Sequence, residues 1–338
     1  MTALSIVVPC FNEEACLAEL HQRLGATARA AVGEDYELVL VNDGSGDGSW
    51  EAMRRMAEAD RKLVAINLSR NHGHQLALTA GLDLCRGETI LIIDADLQDP
   101  PELLEPMLQA MRESGADVVY GVRRSRAGET AFKRATAHGF YRLLSRATEV
   151  DIPLDAGDFR LMSRRALDAL LAMPEQARFI RGMVAWIGFR QLPFPYDRQQ
   201  RFAGETKYPL SKMMRFALDA LTGFSSAPLK LASHAGLLLS AGSVLLVLYI
   251  AYAWASGRSI QGWTSLMLVV VILGAIQMFA LALMGEYIGR LYNEAKKRPL
   301  YIVQDIAGGD GQRARLGYLA EATANSDRPG GKGKRPTK

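Results

Sequence analysis

Along the first half of the chain, short apolar runs alternate with stretches in which apolar residues recur every three or four positions. The runs Leu4 to Pro9, Glu37 to Asn42, Leu63 to Leu68, Thr89 to Asp94 and Asp117 to Gly121 read as strands. Between them Glu13 to Arg29, Ser49 to Ala59, Gln75 to Leu84 and Glu102 to Glu113 read as helices. Strands that alternate with helices predict a mostly parallel sheet covered on both faces. Ligands of such sheets lie beyond the carboxyl ends of the strands. Polar residues gather at four of those ends: Asn12-Glu13-Glu14, Asn42-Asp43-Gly44, Arg70-Asn71-His72 and Asp94-Ala95-Asp96.

After about residue 207 the pattern changes. Pro209 to Phe224 sets Lys212 and Arg215 beside Leu210, Met213, Met214, Phe216 and Leu218, an amphipathic stretch that suits a membrane interface or an ordinary surface helix. Leu231 to Trp254 and Trp263 to Met284 carry no charged residue, and each reaches the roughly 20 residues that span a bilayer. Tyr249, Tyr252, Trp254 and Trp263 lie near their ends, where interfacial aromatics belong. The short connection makes the pair a hairpin. Lys212, Arg215 and Lys230 flank it on one side and Lys296, Lys297 and Arg298 on the other, against Arg258 alone in the loop. Both termini are therefore expected on the cytoplasmic side. The expected organisation is an α/β domain over 1–207, an interfacial segment over 208–230, spans over 231–256 and 263–290, and a tail over 291–338 that is disordered from Gly308. Small residues at Gly236, Ser240, Gly242 and Ser243 allow close helix packing and hence a homo-oligomer.

Charge and cysteines change this picture little. The net charge of +4 gives no reason to expect a nucleic-acid partner. Cys10, Cys16 and Cys85 have no metal-ligand spacing, as expected of a reduced cytosolic domain. Met1 runs directly into the first strand, so no cleavable signal peptide is expected.

Asp94-Ala95-Asp96 offers two carboxylates at a strand end, with Gln98 as a further oxygen donor. Such a set suits Mg²⁺ or Mn²⁺ shared with substrate phosphates, although Asp-x-Asp pairs also serve as caps. Asn42-Asp43-Gly44-Ser45-Gly46-Asp47-Gly48-Ser49 lets backbone N–H groups approach a ligand, with Asp43 to accept from a base or ribose; a tight polar turn explains the same residues. Arg201 and Lys207 flank Gly204 just before the amphipathic stretch, and Arg123, Arg124, Lys133 and Arg134 form a second basic group. Either could bind phosphate oxygens or be a solvated face. Asp158, in Asp155-Ala156-Gly157-Asp158-Phe159-Arg160, is a candidate for orienting or deprotonating an acceptor, or part of a structural turn. His72-Gly73-His74 has no third ligand nearby and reads as loop lining the site, or as polar surface.

Val8-Pro9-Cys10-Phe11-Asn12-Glu13-Glu14, Asn42-Asp43-Gly44-Ser45, Asp94-Ala95-Asp96-Leu97-Gln98-Asp99-Pro100, Gly157-Asp158-Phe159-Arg160 and Arg201-Phe202-Ala203-Gly204-Glu205-Thr206-Lys207-Tyr208 occur in this order. Together they resemble the family-2 glycosyltransferases of the polyprenyl-phosphate (dolichyl-phosphate mannose synthase-like) group, over roughly residues 4 to 305. The hairpin and Lys297-Arg298-Pro299-Leu300-Tyr301 look most like bacterial enzymes that glucosylate undecaprenyl phosphate.

The resemblance implies a GT-A fold and an inverting, metal-dependent hexosyl transfer at the inner membrane, with UDP-glucose as the first choice of donor. GDP-mannose, UDP-N-acetylglucosamine and amino-sugar donors are the alternatives. It implies that Pro9, Asn12, Glu13, Asp43, Gly44 and Ser45 shape the nucleoside pocket, and that Asp94, Asp96 and Gln98 hold Mg²⁺ or Mn²⁺, with Ala95 between them. Arg123, Arg134, Arg201 and Lys207 would bind acceptor phosphate or donor diphosphate, and Asp158 is the candidate base. A processive polysaccharide synthase would carry an Arg-Trp acceptor motif, which is absent. A non-catalytic nucleotide-sugar-binding scaffold would not need Asp94, Asp96, Arg201 and Lys207.

Overall fold

The structure, a computed structural model, describes residues 2–124, 156–199, 262–308 and scattered positions between 236 and 256. The chain begins with β1 (Leu4–Cys10), α1 (Glu14–Val32), β2 (Tyr36–Asn42), α2 (Ser49–Ala59), β3 (Leu63–Leu68) and α3 (His74–Leu84). It continues with β4 (Thr89–Ile92), a 3-10 turn at Pro101–Leu103, α4 (Leu104–Ser114) and β5 (Val118–Arg123). These are the five strands and four helices that the apolar pattern predicts, with ends displaced by a few residues. Beyond them lie β6 (Ala156–Ser163), α5 (Arg164–Leu171), α6 (Ile180–Trp186), β7 (Gln191–Tyr196), α7 (Trp263–Ala295) and β8 (Val303–Ala307).

One sheet takes all eight strands in the order β7-β5-β6-β4-β1-β2-β3-β8. The pairings of β1 with β2 and β4, and of β2 with β3, are parallel. β6 inserts antiparallel between β4 and β5. β1 is buried along its whole length, as a strand covered on both faces must be. Alternate residues of one strand serve different layers. Ile6 and Val8 pack towards α1, α2 and α4, while Val7 packs towards α3, α5 and α6. Gly81 of α3 lies so close to β1 that a Cβ there would meet Val7 Cγ1 at 2.4 Å, which sets how near the helix rides.

β8 joins the edge of the sheet antiparallel to β3, with Val303 opposite Leu68. The chain leaving α7 turns through Lys297, whose φ is 48°. It then reaches the sheet at the carboxyl end of β3, where the Ser69 N–H donates to Ile302 O at 2.9 Å. The last turn of α7 also touches the sheet domain, where the Gln176 N–H donates to Glu294 Oε1 at 2.8 Å.

Among the described residues one helix is long and apolar enough to cross a membrane, in its stretch Ile272–Ala295. The second expected span, 263–290, falls within this helix, which extends to Ala295; one such helix does not establish the two-helix hairpin. The first expected span lies mostly outside the described residues. Those described there, among them Val244, Leu245, Leu248 and Tyr249, are exposed and, as far as Ala255, helical. The interfacial segment over 208–230 and the tail beyond Gly308 also lie outside the described residues.

Candidate active site

Two loops close the carboxyl ends of β1 and β2, and each holds the other. The Asn12 N–H donates to Ser45 Oγ at 3.0 Å, and Asn12 Oδ1 accepts from the Gly46 N–H at 2.9 Å. The Glu13 N–H donates to Ser49 Oγ at 3.0 Å, and Glu14 Oε2 accepts from the Gly48 N–H at 3.0 Å. Asn12 adopts φ 55° to make this exchange, a left-handed conformation that asparagine tolerates better than most residues. The polar runs after β1 and β2 are thus one structure, zipped by side chain to backbone bonds.

Asp43 anchors a third loop. Its Oδ1 accepts from the His72 N–H at 2.7 Å and its Oδ2 from the Gly73 N–H at 2.9 Å. Burial raises the carboxyl above its ordinary value, and the two N–H donors offset part of that rise. Gly44 follows with φ 65°, and a Cβ there would stand 2.4 Å from the backbone of Arg70 and Asn71. Only glycine lets the two loops approach so closely.

The loop after β4 carries the acidic motif. Ala95 and Leu97 are buried, and Leu97 adopts φ 56°, a strained geometry for a branched side chain that its packing holds in place. The turn is closed by Asp96 Oδ1, which accepts from the Gln98 N–H at 3.1 Å. The segment after β7 lies alongside: the Gln199 N–H donates to Gln98 O at 2.9 Å, and Arg198 Nη2 stands 3.8 Å from Asp96 Oδ2. Asp99 accepts from Tyr196 Oη at 2.5 Å, behind the loop.

Behind Asp94 lies a network centred on a buried carboxylate. Asp158 on β6 is 4% exposed, and Arg181 of α6 grips it with Nε at 2.9 Å from Oδ1 and Nη2 at 3.1 Å from Oδ2. His74, the first residue of α3, places Nε2 at 3.2 Å from Asp158 Oδ2 and 3.6 Å from Asp94 Oδ1. Gln75 donates Nε2 to Asp158 Oδ2 at 3.3 Å and accepts from the Ile180 N–H at 2.9 Å. Burial by itself would raise the Asp158 carboxyl, but the Arg181 guanidinium and His74 outweigh it and hold it well below the usual range. Asp94 has no such fork. Burial, with the charges of Asp158, Asp99 and Asp96, pushes it up to about 6 against the pull of His74.

The Glycosyl transferase family 2 description matches residues 5–171, a stretch holding the zipped loops and the acidic turn. The uncharacterized glycosyltransferase YkcC of Bacillus subtilis (strain 168) is 48% identical over 310 residues, 91% of this chain and 95% of that protein. The chain belongs to glycosyltransferase family 2. This glycosyltransferase is also 36% identical to the prophage bactoprenol glucosyl transferase homolog of Escherichia coli (strain K12), over 90% of the chain and 99% of the relative. It is 34% identical to the bactoprenol glucosyl transferase of Shigella phage SfV, over 89% and 98% respectively.

In this glycosyltransferase the fold brings Pro9, Asn12, Glu13, Asp43, Gly44, Ser45, Asp94, Ala95, Asp96, Gln98 and Asp158 to one end of the sheet. Arg123 ends β5 at that same end, and its Nη2 lies 3.3 Å from where a Cβ of Gly157 would be. Arg134, Arg201 and Lys207 lie outside the described residues. The acidic motif fits a hard divalent cation: Asp94 Oδ1 is buried without a hydrogen-bond partner, among carboxylates that disfavour its charge. Among the described residues no three His, Cys, Asp or Glu side chains converge as a metal cage.

The sequence pattern did not single out Gln75 and Arg181, and it treated His74 as loop lining or surface. His74 in fact opens a helix at the Asp94 end of the sheet. The spacing of Arg181 from any other motif gives no hint that α6 folds back onto β6.

Proposed function

We propose that this glycosyltransferase moves a hexose, with glucose from UDP-glucose as the first choice, onto undecaprenyl or another polyprenyl phosphate at the cytoplasmic membrane face. The observation that carries this reading is the similarity to bactoprenol glucosyl transferases over 90% of the chain, which reaches well past the sheet domain.

In this reading the nucleoside rests on the zipped loops after β1 and β2, where Pro9, Asn12, Glu13, Asp43, Gly44 and Ser45 set the shape. The diphosphate lies against Asp94, Asp96 and Gln98, the residues that would hold Mg²⁺ or Mn²⁺. The bound cation would supply charge neutralisation for the departing diphosphate. Arg123, Arg134, Arg201 and Lys207 are the candidates to hold the acceptor phosphate or the donor phosphates. The acceptor oxygen belongs to a phosphate already ionised near neutral pH, with a second pKa of about 6. It can attack the anomeric carbon from the face opposite the leaving group without a strong protein base. Holding two anions together, in line and out of water, is then the main task of the site.

The position of β8 supports a membrane hairpin. β8 and β1 to β7 share one sheet, so they lie on one side of any bilayer. If α7 crosses that bilayer, the chain must cross it again between β7 and α7. The residues 231–256 are long and apolar enough for that crossing. Because β8 enters at the carboxyl end of β3, α7 also leads towards the side of the sheet where the acidic loop lies.

The test is incubation of the detergent-purified full chain with undecaprenyl phosphate, Mg²⁺ and a panel of labelled nucleotide-sugars. Organic-soluble label from one donor, lost on adding EDTA, is expected. Absence of lipid-linked label with every donor overturns the acceptor.

A further inference from the structure

The Asp158 carboxylate has little left to offer a substrate. It is 4% exposed, Oδ1 accepts from Arg181 Nε at 2.9 Å, and Oδ2 faces Arg181 Nη2 at 3.1 Å, His74 Nε2 at 3.2 Å and Gln75 Nε2 at 3.3 Å. Arg160, itself buried, lies further back, with Nη2 at 3.9 Å from Oδ1. In front, His74 and Asp94 keep 42% and 28% of their side-chain surface open to solvent. Asp158 is therefore the buried centre of the arrangement, flanked by His74 with Asp94 on one side and by the part-exposed Arg181 on the other.

We infer that Arg181 is a positioning residue for sugar transfer: with Gln75 it clamps Asp158, and through Asp158 it fixes His74 against Asp94. Asp158 is an anchor in this arrangement and not a base. This inference rests on the transfer reading above and adds to it a role for α6, which no sequence motif singles out.

Three features of the geometry support it. The guanidinium meets the carboxylate as a two-point fork, the pairing that fixes orientation as well as distance. Gln75 ties the clamp to both helices, because its Oε1 accepts the Ile180 N–H at the start of α6 while its own place is in the first turn of α3. The clamp thus joins β6, α3 and α6 at one carboxylate, and His74 is the next residue in sequence to Gln75. A shift of Asp158 would move the imidazole that faces Asp94. A displacement of about 1 Å at such a position can cost about 100-fold in rate.

The test uses the full-length protein with its donor, Mn²⁺ and undecaprenyl phosphate, comparing wild type, Arg181→Ala, Arg181→Lys, Asp158→Asn and the double variant Arg181→Ala with Asp158→Asn. Arg181→Ala is expected to lower kcat by about 100-fold while donor KM moves less than about three-fold. Added guanidinium should restore part of the lost kcat, and Arg181→Lys should fall between. The double variant should lose no more than the worse single variant, because the pair acts as a unit. Multiplicative losses, or an Arg181→Ala enzyme with wild-type kcat, overturn the clamp. A wild type that yields no lipid-linked sugar overturns the acceptor reading instead. The same five proteins then test the clamp without turnover: Arg181→Ala should lower Tm and the added Asp158→Asn should recover part of the loss, whereas additive losses overturn it.

Discussion

Tyr301 donates its hydroxyl to Asp83 Oδ2 at 2.7 Å, joining the segment after α7 to α3 across 218 positions of the chain. With the Ser69 to Ile302 bond and the β8 pairing, it fastens the end of the apolar helix to the sheet domain. A part-buried hydrogen bond to a carboxylate contributes about 1 to 2 kcal/mol. Tyr301→Phe should therefore lower the unfolding free energy by about 1 kcal/mol in urea titrations, with the slope unchanged. A variant as stable as wild type would mean that β8 pairing alone holds the tail.

Gly44→Ala should be far more damaging than an ordinary loop substitution. The left-handed φ of 65° disfavours a side chain, and the new Cβ would collide with the backbone of Arg70 and Asn71. The loss of stability should be about 2 kcal/mol or more, with nucleotide binding weakened at least about ten-fold because the zipped loops must part. Calorimetric titration with UDP measures the second effect. Wild-type affinity in Gly44→Ala would show that these loops do not form the nucleotide pocket.

Asp117 gives a pH signature away from the site. Arg165 grips it as a fork, with Nη2 at 2.6 Å from Oδ2, and Ser163 Oγ donates to Oδ1 at 2.9 Å. The Arg165 bond, chiefly, holds the carboxyl below its ordinary value. A depressed carboxyl stabilises the fold above its unfolded value, and that stabilisation is lost as pH falls through the folded value. Asp117→Asn should thus cost about 1 kcal/mol near neutrality, a modest figure because Arg165 is largely exposed. The gap between variant and wild type should close as the solution is acidified below about pH 4. A gap that persists in acid would assign the effect to packing.

A divalent cation should stabilise the fold through Asp94. Its orphaned Oδ1 sits among like charges, so a cation replaces an unfavourable environment with ligation. Adding Mn²⁺ at about 100 times its dissociation constant should raise stability by about 2.7 kcal/mol, visible as a higher Tm. EDTA should reverse the shift and Asp94→Asn should abolish it. An equal shift in Asp94→Asn would place the cation elsewhere.

How much of this was legible in the sequence depended on the kind of strand. β1 to β5 announced themselves because strands buried on both faces read as apolar runs. β6 did not, because its Asp158 and Arg160 fill one face as a buried charged pair while Phe159 and Leu161 fill the other. β7 contains Pro193 and Pro195, which argue against a strand in the middle of a sheet but suit the edge where β7 lies. β8 is short, carries Asp305 and pairs with a strand from the far end of the chain. The acidic turn and the two zipped loops were legible because carboxylates and glycines cluster at strand ends. The clamp was not, since Arg181 reaches Asp158 only through the folding of α6 onto β6. The bonds that Asp43 accepts from the His72 and Gly73 N–H groups were not legible, because the loop after β3 reaches it only in the fold.

The most direct test of the central claim is transfer itself, in wild type and Asp96→Asn, with labelled UDP-glucose, undecaprenyl phosphate and Mg²⁺. The account predicts organic-soluble glucose label in wild type and a loss of at least about 100-fold in Asp96→Asn or with EDTA. Unchanged transfer by Asp96→Asn, or label released only as free sugar, would contradict it.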